Sequence, residues 1–175
     1  MGEQKRKEII SSHEIQARIE ELGRRITNDY QGRQLVLLGV LNGAFIFAAD
    51  LCRTITLDLE IDFIRVASYG TATESSGKIR LLKEPSIDLT GKDVLLIEDI
   101  VDTGTTMAWM LEHFRQSGAE TVQICTLIDK TERRRVAVTS AYIGFSLDQG
   151  FLIGYGLDHG EKYRNLPAIY TFLNP

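Results

Sequence analysis

The sequence predicts an α/β fold with a mainly parallel central sheet flanked by helices, and three observations predict it. Leu35 to Leu41 and Val94 to Ile97 are uninterrupted apolar runs, the pattern of strands buried on both faces of a parallel sheet. Each run leads into a turn of small polar residues, Asn42-Gly43 after the first and Asp102-Thr103-Gly104-Thr105-Thr106 after the second. Apolar residues at helical spacing then follow both turns. Strands alternate with helices along the chain without repeat, low-complexity tract or linker, so a single domain over residues 1–175 is expected.

The elements can be justified in order. Ser11 and Glu14 have the spacing of a capping box, and Ile15, Ile19, Leu22 and Ile26 mark one face of a helix that ends before Gly32. After the strand at Leu35 to Leu41, Phe45, Ala48, Ala49 and Cys52 form an apolar stripe on a helix over residues 44–53. Leu59 to Tyr69 reads as a long strand, with Glu60, Asp62 and Arg65 partly alternating with apolar residues. The run from Gly70 to Gly77 is small and polar throughout, which predicts a mobile loop, a long hairpin connection being the plainer reading. Ile79, Leu81 and Leu82 suggest a returning antiparallel strand. Asp88 to Lys92 turns the chain into the central strand. Met107, Met110, Leu111 and Phe114 then recur at helical spacing until Ser117-Gly118. Thr121 to Ile128 and Tyr142 to Phe145 complete the strands, separated by a basic run, Thr131 to Arg135, that is exposed by pattern.

Composition narrows the function classes. With 175 residues, 43% of them hydrophobic and 25% charged, the chain is long enough for a sizeable core and ordinary for a globular protein. A net charge of −4 argues against general nucleic-acid binding. Two cysteines, Cys52 and Cys125, make no disulfide framework, and no Cys/His cluster suggests structural zinc. The charged opening Met-Gly-Glu-Gln-Lys-Arg has no apolar segment behind it, and no run approaches a membrane span. A cytoplasmic protein without membrane contact is therefore expected.

The central strand and its turn suggest a chemistry. Successive amides and Thr hydroxyls around Gly104, at a helix N-terminus, suit a phosphate. No Lys stands in the turn, and the Gly-x-x-x-x-Gly-Lys-Ser/Thr pattern is absent, so a nucleoside triphosphate loop is not expected. Glu98 and Asp99 would repel a phosphate placed on them. They suit neutral hydroxyls or a divalent cation bridging to the ligand. A ligand with a phosphate at one end and a diol nearby, a ribose 5-phosphate, satisfies both.

The order of apolar strand, acidic pair, Asp-Thr-Gly-x-Thr and helix resembles the phosphoribosyl diphosphate motif of the purine phosphoribosyltransferases. Leu41-Asn42-Gly43, Ser68-Tyr69-Gly70 with its polar loop, Asp129-Lys130, Phe151 to Asp158 and Arg164 are similar, in sequence order, to segments of the hypoxanthine-guanine members. The resemblance implies a type I phosphoribosyltransferase fold with a five-stranded parallel core, a small hood built from the chain ends and a mobile loop. It further implies a Mg²⁺ requirement and a homodimer or homotetramer. The implied reaction is displacement of pyrophosphate from 5-phosphoribosyl-1-diphosphate by hypoxanthine or guanine, giving a nucleoside 5′-monophosphate in purine salvage.

Carried over residue by residue, the resemblance implies that Glu98 and Asp99 serve the ribose hydroxyls and the metal. Thr103, Gly104, Thr105 and Thr106 hold the 5-phosphate, and Asp102 is the catalytic base facing purine N7. Leu41, Asn42, Gly43, Ser68, Tyr69 and Arg164 meet pyrophosphate. Lys130 reads the 6-oxo group, Phe151 stacks on the purine, backbone near Leu152 reads the base edge, and Asp158 holds a second metal ion. Plainer roles stand beside these: Asp102 as a helix N-cap, Lys130, Asp158 and Arg164 as surface charges, and Phe151 as a core aromatic. One departure is visible. Asn42 occupies a place where the family usually carries Lys or Arg, so weaker pyrophosphate affinity or weaker communication between subunits is expected without loss of activity. Two other functions are conceivable, a phosphoribosyl diphosphate-sensing regulator that binds RNA or DNA, and a transferase preferring xanthine.

Overall fold

The computed structural model describes residues 5–71, 74–148 and 150–173, with the backbone alone described at 68–71 and 74–78. Its helices and strands follow in the order β1 (Arg6–Ile10), α1 (Ser12–Asp29), β2 (Leu35–Leu41), α2 (Phe45–Thr54), β3 (Leu59–Thr71), β4 (Glu74–Lys83), β5 (Asp93–Val101), α3 (Thr105–Gln116), β6 (Thr121–Lys130), β7 (Tyr142–Leu147) and β8 (Ile169–Phe172).

The apolar runs do what two-sided burial requires. β2 and β5 lie side by side in a six-stranded sheet of order β4-β3-β2-β5-β6-β7, in which only β4 runs antiparallel to its neighbour. Alternate residues feed opposite cores. Leu35, Leu37, Leu95 and Ile97 pack with α1, α2 and the chain's C-terminal segment. Val36, Leu38, Val94 and Leu96 pack with Met107, Met110 and Phe114 of α3. The expected capping box is formed: the Ser11 amide donates to Glu14 Oε2 at 2.8 Å and the Glu14 amide to Ser11 Oγ at 3.3 Å. The chain ends pair as a separate antiparallel ribbon, β1 with β8, which is the hood.

One expectation is corrected, and of the two readings of the polar stretch after Tyr69 the hairpin is the one seen. The central strand does not stop at Ile97, because its ladder with β6 continues to Val101 opposite Asp129 and takes Glu98 and Asp99 into regular structure. Backbone pairing is indifferent to the polarity of the side chains it carries. The polar stretch after Tyr69 is drawn into a β3–β4 hairpin, with Ser68 opposite Ile79, Tyr69 opposite Lys78 and Thr71 opposite Glu74. Its central residues Ala72 and Thr73 lie outside the described residues. No helix among the described residues is long and apolar enough to cross a membrane.

Candidate active site

β2, β3, β5 and β6 are parallel, so their carboxyl ends share one edge, where α/β sheets offer their crevice. At that edge Gly43 packs directly on Asp99: a Cβ built at position 43 would meet Asp99 Cγ at 2.5 Å. A Cβ on Gly156, in the hood, would likewise press into the Gly43 carbonyl, 3.2 Å from its carbon. Gly156 has φ +98°, a conformation that side chains rarely adopt. Three segments distant in sequence thus meet at one point. The Leu41–Asn42 peptide that leads into it is cis.

Glu98 and Asp99 sit partly buried in the floor of the cleft, where the Asp99 amide donates to Glu98 Oε1 at 3.2 Å and the Ile100 amide to Asp99 Oδ1 at 2.8 Å. Burial, then the charge of Asp99, pushes the Glu98 carboxyl well above its ordinary range. Burial also raises Asp99, against the opposing pull of hydrogen bonds from Glu98 and the Ile100 amide and of the Arg164 charge. The Arg164 guanidinium lies 2.9 Å from Asp158 Oδ1 and 2.9 Å from Glu161 Oε2, and donates to the Gly156 carbonyl at 2.7 Å. The remaining Asp158 oxygen accepts from the Glu161 amide at 2.8 Å. Among the described residues no three metal-ligating side chains converge. The acidic pair alone supplies an oxygen-only donor set of the hardness that Mg²⁺ prefers, and a cation between two such carboxylates relieves their repulsion. The residues present therefore fit that ion.

The N-cap of α3 is Gly104, which has φ +80° and gives no side-chain cap. Asp102 is thus not the helix N-cap. The turn is pinned instead from behind: the Arg135 and Val136 amides donate to the Thr103 carbonyl at 2.9 and 3.1 Å, and a Cβ on Gly104 would strike the Val136 carbonyl. Thr103 Oγ1 stands 3.4 Å from both the hydroxyl and the amide of Thr105. The Thr106 amide falls in the first helical turn, where intrahelical acceptors are lacking. Asp102 Oδ1 is buried without a hydrogen-bond partner, while Oδ2 lies 3.4 Å from Arg133 Nη1. A buried carboxylate oxygen left open is an acceptor awaiting a donor.

Lys130, at the end of β6, is buried rather than a surface charge. Its Nζ donates to the Gly150 carbonyl at 2.8 Å, with Glu132 at 3.8 Å. Next to that carbonyl, Phe151 is 47% exposed, so it is not a core aromatic. Its ring stacks on Phe172 at 6.1 Å and meets the edge of His159 at 5.2 Å. Leu152 turns inward and is buried. Ser68 and Tyr69 continue β3 beyond Arg65, the partner of Leu41, and so stand at the same edge; their side chains are outside the described residues. A separate hollow of about 480 Å³ between α1, α2 and the hood is lined by none of the expected site residues.

Arg134, Glu161, His159 and Phe172 belong to this neighbourhood and were not expected there. Arg134 was read as part of an exposed basic run. Its guanidinium is instead largely covered and engages Asp129 Oδ1 and the carbonyls of Val101, Asp102 and Lys130. The remaining three carry no spacing signal, since each reaches the site through the folding of the hood.

The family described as phosphoribosyl transferase domain matches residues 5–159. The chain is 43% identical over 163 residues to the hypoxanthine-guanine phosphoribosyltransferase of Bacillus subtilis, covering 93% of this chain and 91% of that protein. It is 44% identical to the bifunctional protein TilS/HprT of Listeria innocua, of which it spans 25%. A crystal structure of a hypoxanthine phosphoribosyltransferase from Staphylococcus aureus superposes with a TM-score of 0.92 at 40% identity, over 95% of this chain and 90% of that one.

Proposed function

The chain belongs to the phosphoribosyltransferase family, and we propose that it transfers the 5-phosphoribosyl group of 5-phosphoribosyl-1-diphosphate to hypoxanthine or guanine. The products are a nucleoside 5′-monophosphate and pyrophosphate. The observation that carries the reading is the open, buried Oδ1 of Asp102 beside an uncapped helix N-terminus and a partly buried acidic pair.

The residues divide the work as follows. Amides and hydroxyls of Thr103, Gly104, Thr105 and Thr106 hold the 5-phosphate, where the helix dipole favours an anion. Glu98 and Asp99 orient the ribose hydroxyls. Asp102 takes the proton from N7 as N9 bonds to C1′ and the C1′–O bond to pyrophosphate breaks. Lys130, with one N–H committed to Gly150, keeps others for the 6-oxo group, and Phe151 covers the purine face. The amide of Leu152 meets the base edge. Arg164 leaves Asp158 and Glu161 to neutralise pyrophosphate, whose other contacts come from Leu41, Asn42, Gly43, Ser68 and Tyr69. Glu98 and Asp99 would hold Mg²⁺ and Asp158 a second ion, and the metal would supply charge neutralisation of the diphosphate. The β3–β4 hairpin closes over both substrates and keeps water from the oxocarbenium-like sugar.

The same reading includes a homodimer or homotetramer and a cytoplasmic location. The net charge of −4 speaks against the regulator alternative, and Arg134 of its basic run is spent on internal carbonyls. Spectrophotometric assays with hypoxanthine, guanine, xanthine, adenine and uracil, with and without Mg²⁺, test the function. Turnover confined to the oxopurines and abolished by chelation is expected; turnover of uracil alone, or of none, overturns the reading.

A further inference from the structure

N7 and the 6-oxo group lie side by side on one edge of an oxopurine. In the proposed reaction, on which this inference rests, they are met by Asp102 and Lys130, which belong to different segments. The first stands in the turn after β5 and the second at the end of β6. The ladder between those strands is described as far as Val101 opposite Asp129. Beyond it, backbone pairing no longer fixes how far Asp102 stands from Lys130.

One side chain spans that gap. Arg134 Nε donates to the Asp102 carbonyl at 2.9 Å, and Nη2 reaches the carbonyls of Val101 at 3.2 Å and Lys130 at 2.8 Å as well as the carboxylate of Asp129. The guanidinium is rigid and planar, so groups bound to it keep a fixed separation. Its side chain is only 18% exposed, which shields these bonds from competing water.

We propose that Arg134 is a positioning residue, tying the Asp102 turn to the Lys130 backbone so that the two groups meet adjacent atoms of one purine edge. A point-charge ammonium cannot replace it, because Lys lacks the fork that engages both segments at once. Misplacement of reacting groups by about 1 Å costs on the order of 100-fold in rate.

The test compares Arg134→Lys and Arg134→Ala with Arg24→Ala, an exposed arginine on α1 remote from the site, in the purified protein. kcat and KM for hypoxanthine are measured at saturating diphosphate donor, below the melting temperature of each variant. R134K and R134A should each lose on the order of 100-fold in kcat/KM, guanidinium ion should restore part of the R134A loss, and R24A should match wild type. In a Lys130→Ala background the cost of R134A should shrink, since one of the two groups being held in register is gone. Activity of R134K within twofold of wild type, or strict additivity with K130A, overturns the inference while the proposed reaction stands. A wild type inert on every oxopurine overturns the proposed reaction itself.

Discussion

Gly43 lies against Asp99 so closely that a Cβ at position 43 would come within 2.5 Å of the Asp99 carboxyl carbon. The loop after β2 and the acidic pair on β5 are therefore one packed unit. Gly43→Ala should push the carboxylate aside, a rotation that the chain tolerates at about 1–3 kcal/mol of stability. The displaced carboxylate no longer meets the ribose. We expect kcat/KM for 5-phosphoribosyl-1-diphosphate to fall by roughly tenfold or more, a loss of about 1.4 kcal/mol in transition-state stabilisation. Steady-state kinetics beside a thermal melt separates the two effects.

Glu98 should make the protein less stable as pH rises. Burial, and then the neighbouring Asp99 charge, holds its folded carboxyl well above the ordinary value of 4.5. The folded chain thus binds this proton more tightly than the unfolded chain. Below about pH 4.5 both states are protonated and the group is neutral in effect; from there up through the folded value, ionisation in the cleft costs stability. Glu98→Gln removes that cost. Its melting temperature should exceed the wild type's at pH 8 and converge with it at acid pH, while activity is lost. Equal melting curves at pH 8 would show that Glu98 is not buried at a cost.

Phe151→Leu should separate binding from folding. The ring is 47% exposed and rests on Phe172 and His159 rather than filling the core, so its loss leaves stability nearly unchanged. Stacking of a base on an aromatic ring contributes about 1–3 kcal/mol. KM for hypoxanthine should rise accordingly, with KM for the diphosphate donor unaffected. Competition by a purine analogue, followed by calorimetry, checks the same quantity without turnover.

Much of this architecture was legible because burial on two faces leaves a plain mark. Leu35 to Leu41 matches its strand end for end, and the box at Ser11 and Glu14 fixes where α1 begins. The acidic pair and the Asp102 turn were legible because their chemistry is compressed into nine consecutive residues. Arg134 was not. Its function depends on carbonyls, which every residue has, so sequence cannot distinguish it from Arg133 or Arg135. His159 and Phe172 were missed for another reason: Phe172 comes to Phe151 where Tyr170 bridges Ile153, and His159 through the turn that Gly154 and Leu157 close, contacts that leave no periodic mark. The polar run after Tyr69 left a loop and a hairpin connection both open, since its composition is poor in apolar groups while its backbone still pairs.

Asn42 offers a gain of function. It is exposed at the mouth of the cleft, one residue before the Gly43 that packs on Asp99. A neutral amide there leaves the loop to hold pyrophosphate without a cation of its own. Asn42→Lys places a flexible ammonium beside the leaving group, at a surface position where a charge pair contributes up to about 1 kcal/mol. Pyrophosphate should then bind about two- to fivefold more tightly as a product inhibitor. Because the new charge is solvent-exposed, most of that gain should disappear when ionic strength rises from about 0.01 M to about 1 M, as the Debye length falls from about 30 Å to about 3 Å. Tighter product binding slows release, so kcat should hold steady or fall slightly even as the donor's KM drops. Product-inhibition constants at the two salt concentrations decide the matter; an inhibition constant unchanged at low salt would place the position 42 side chain out of reach of pyrophosphate.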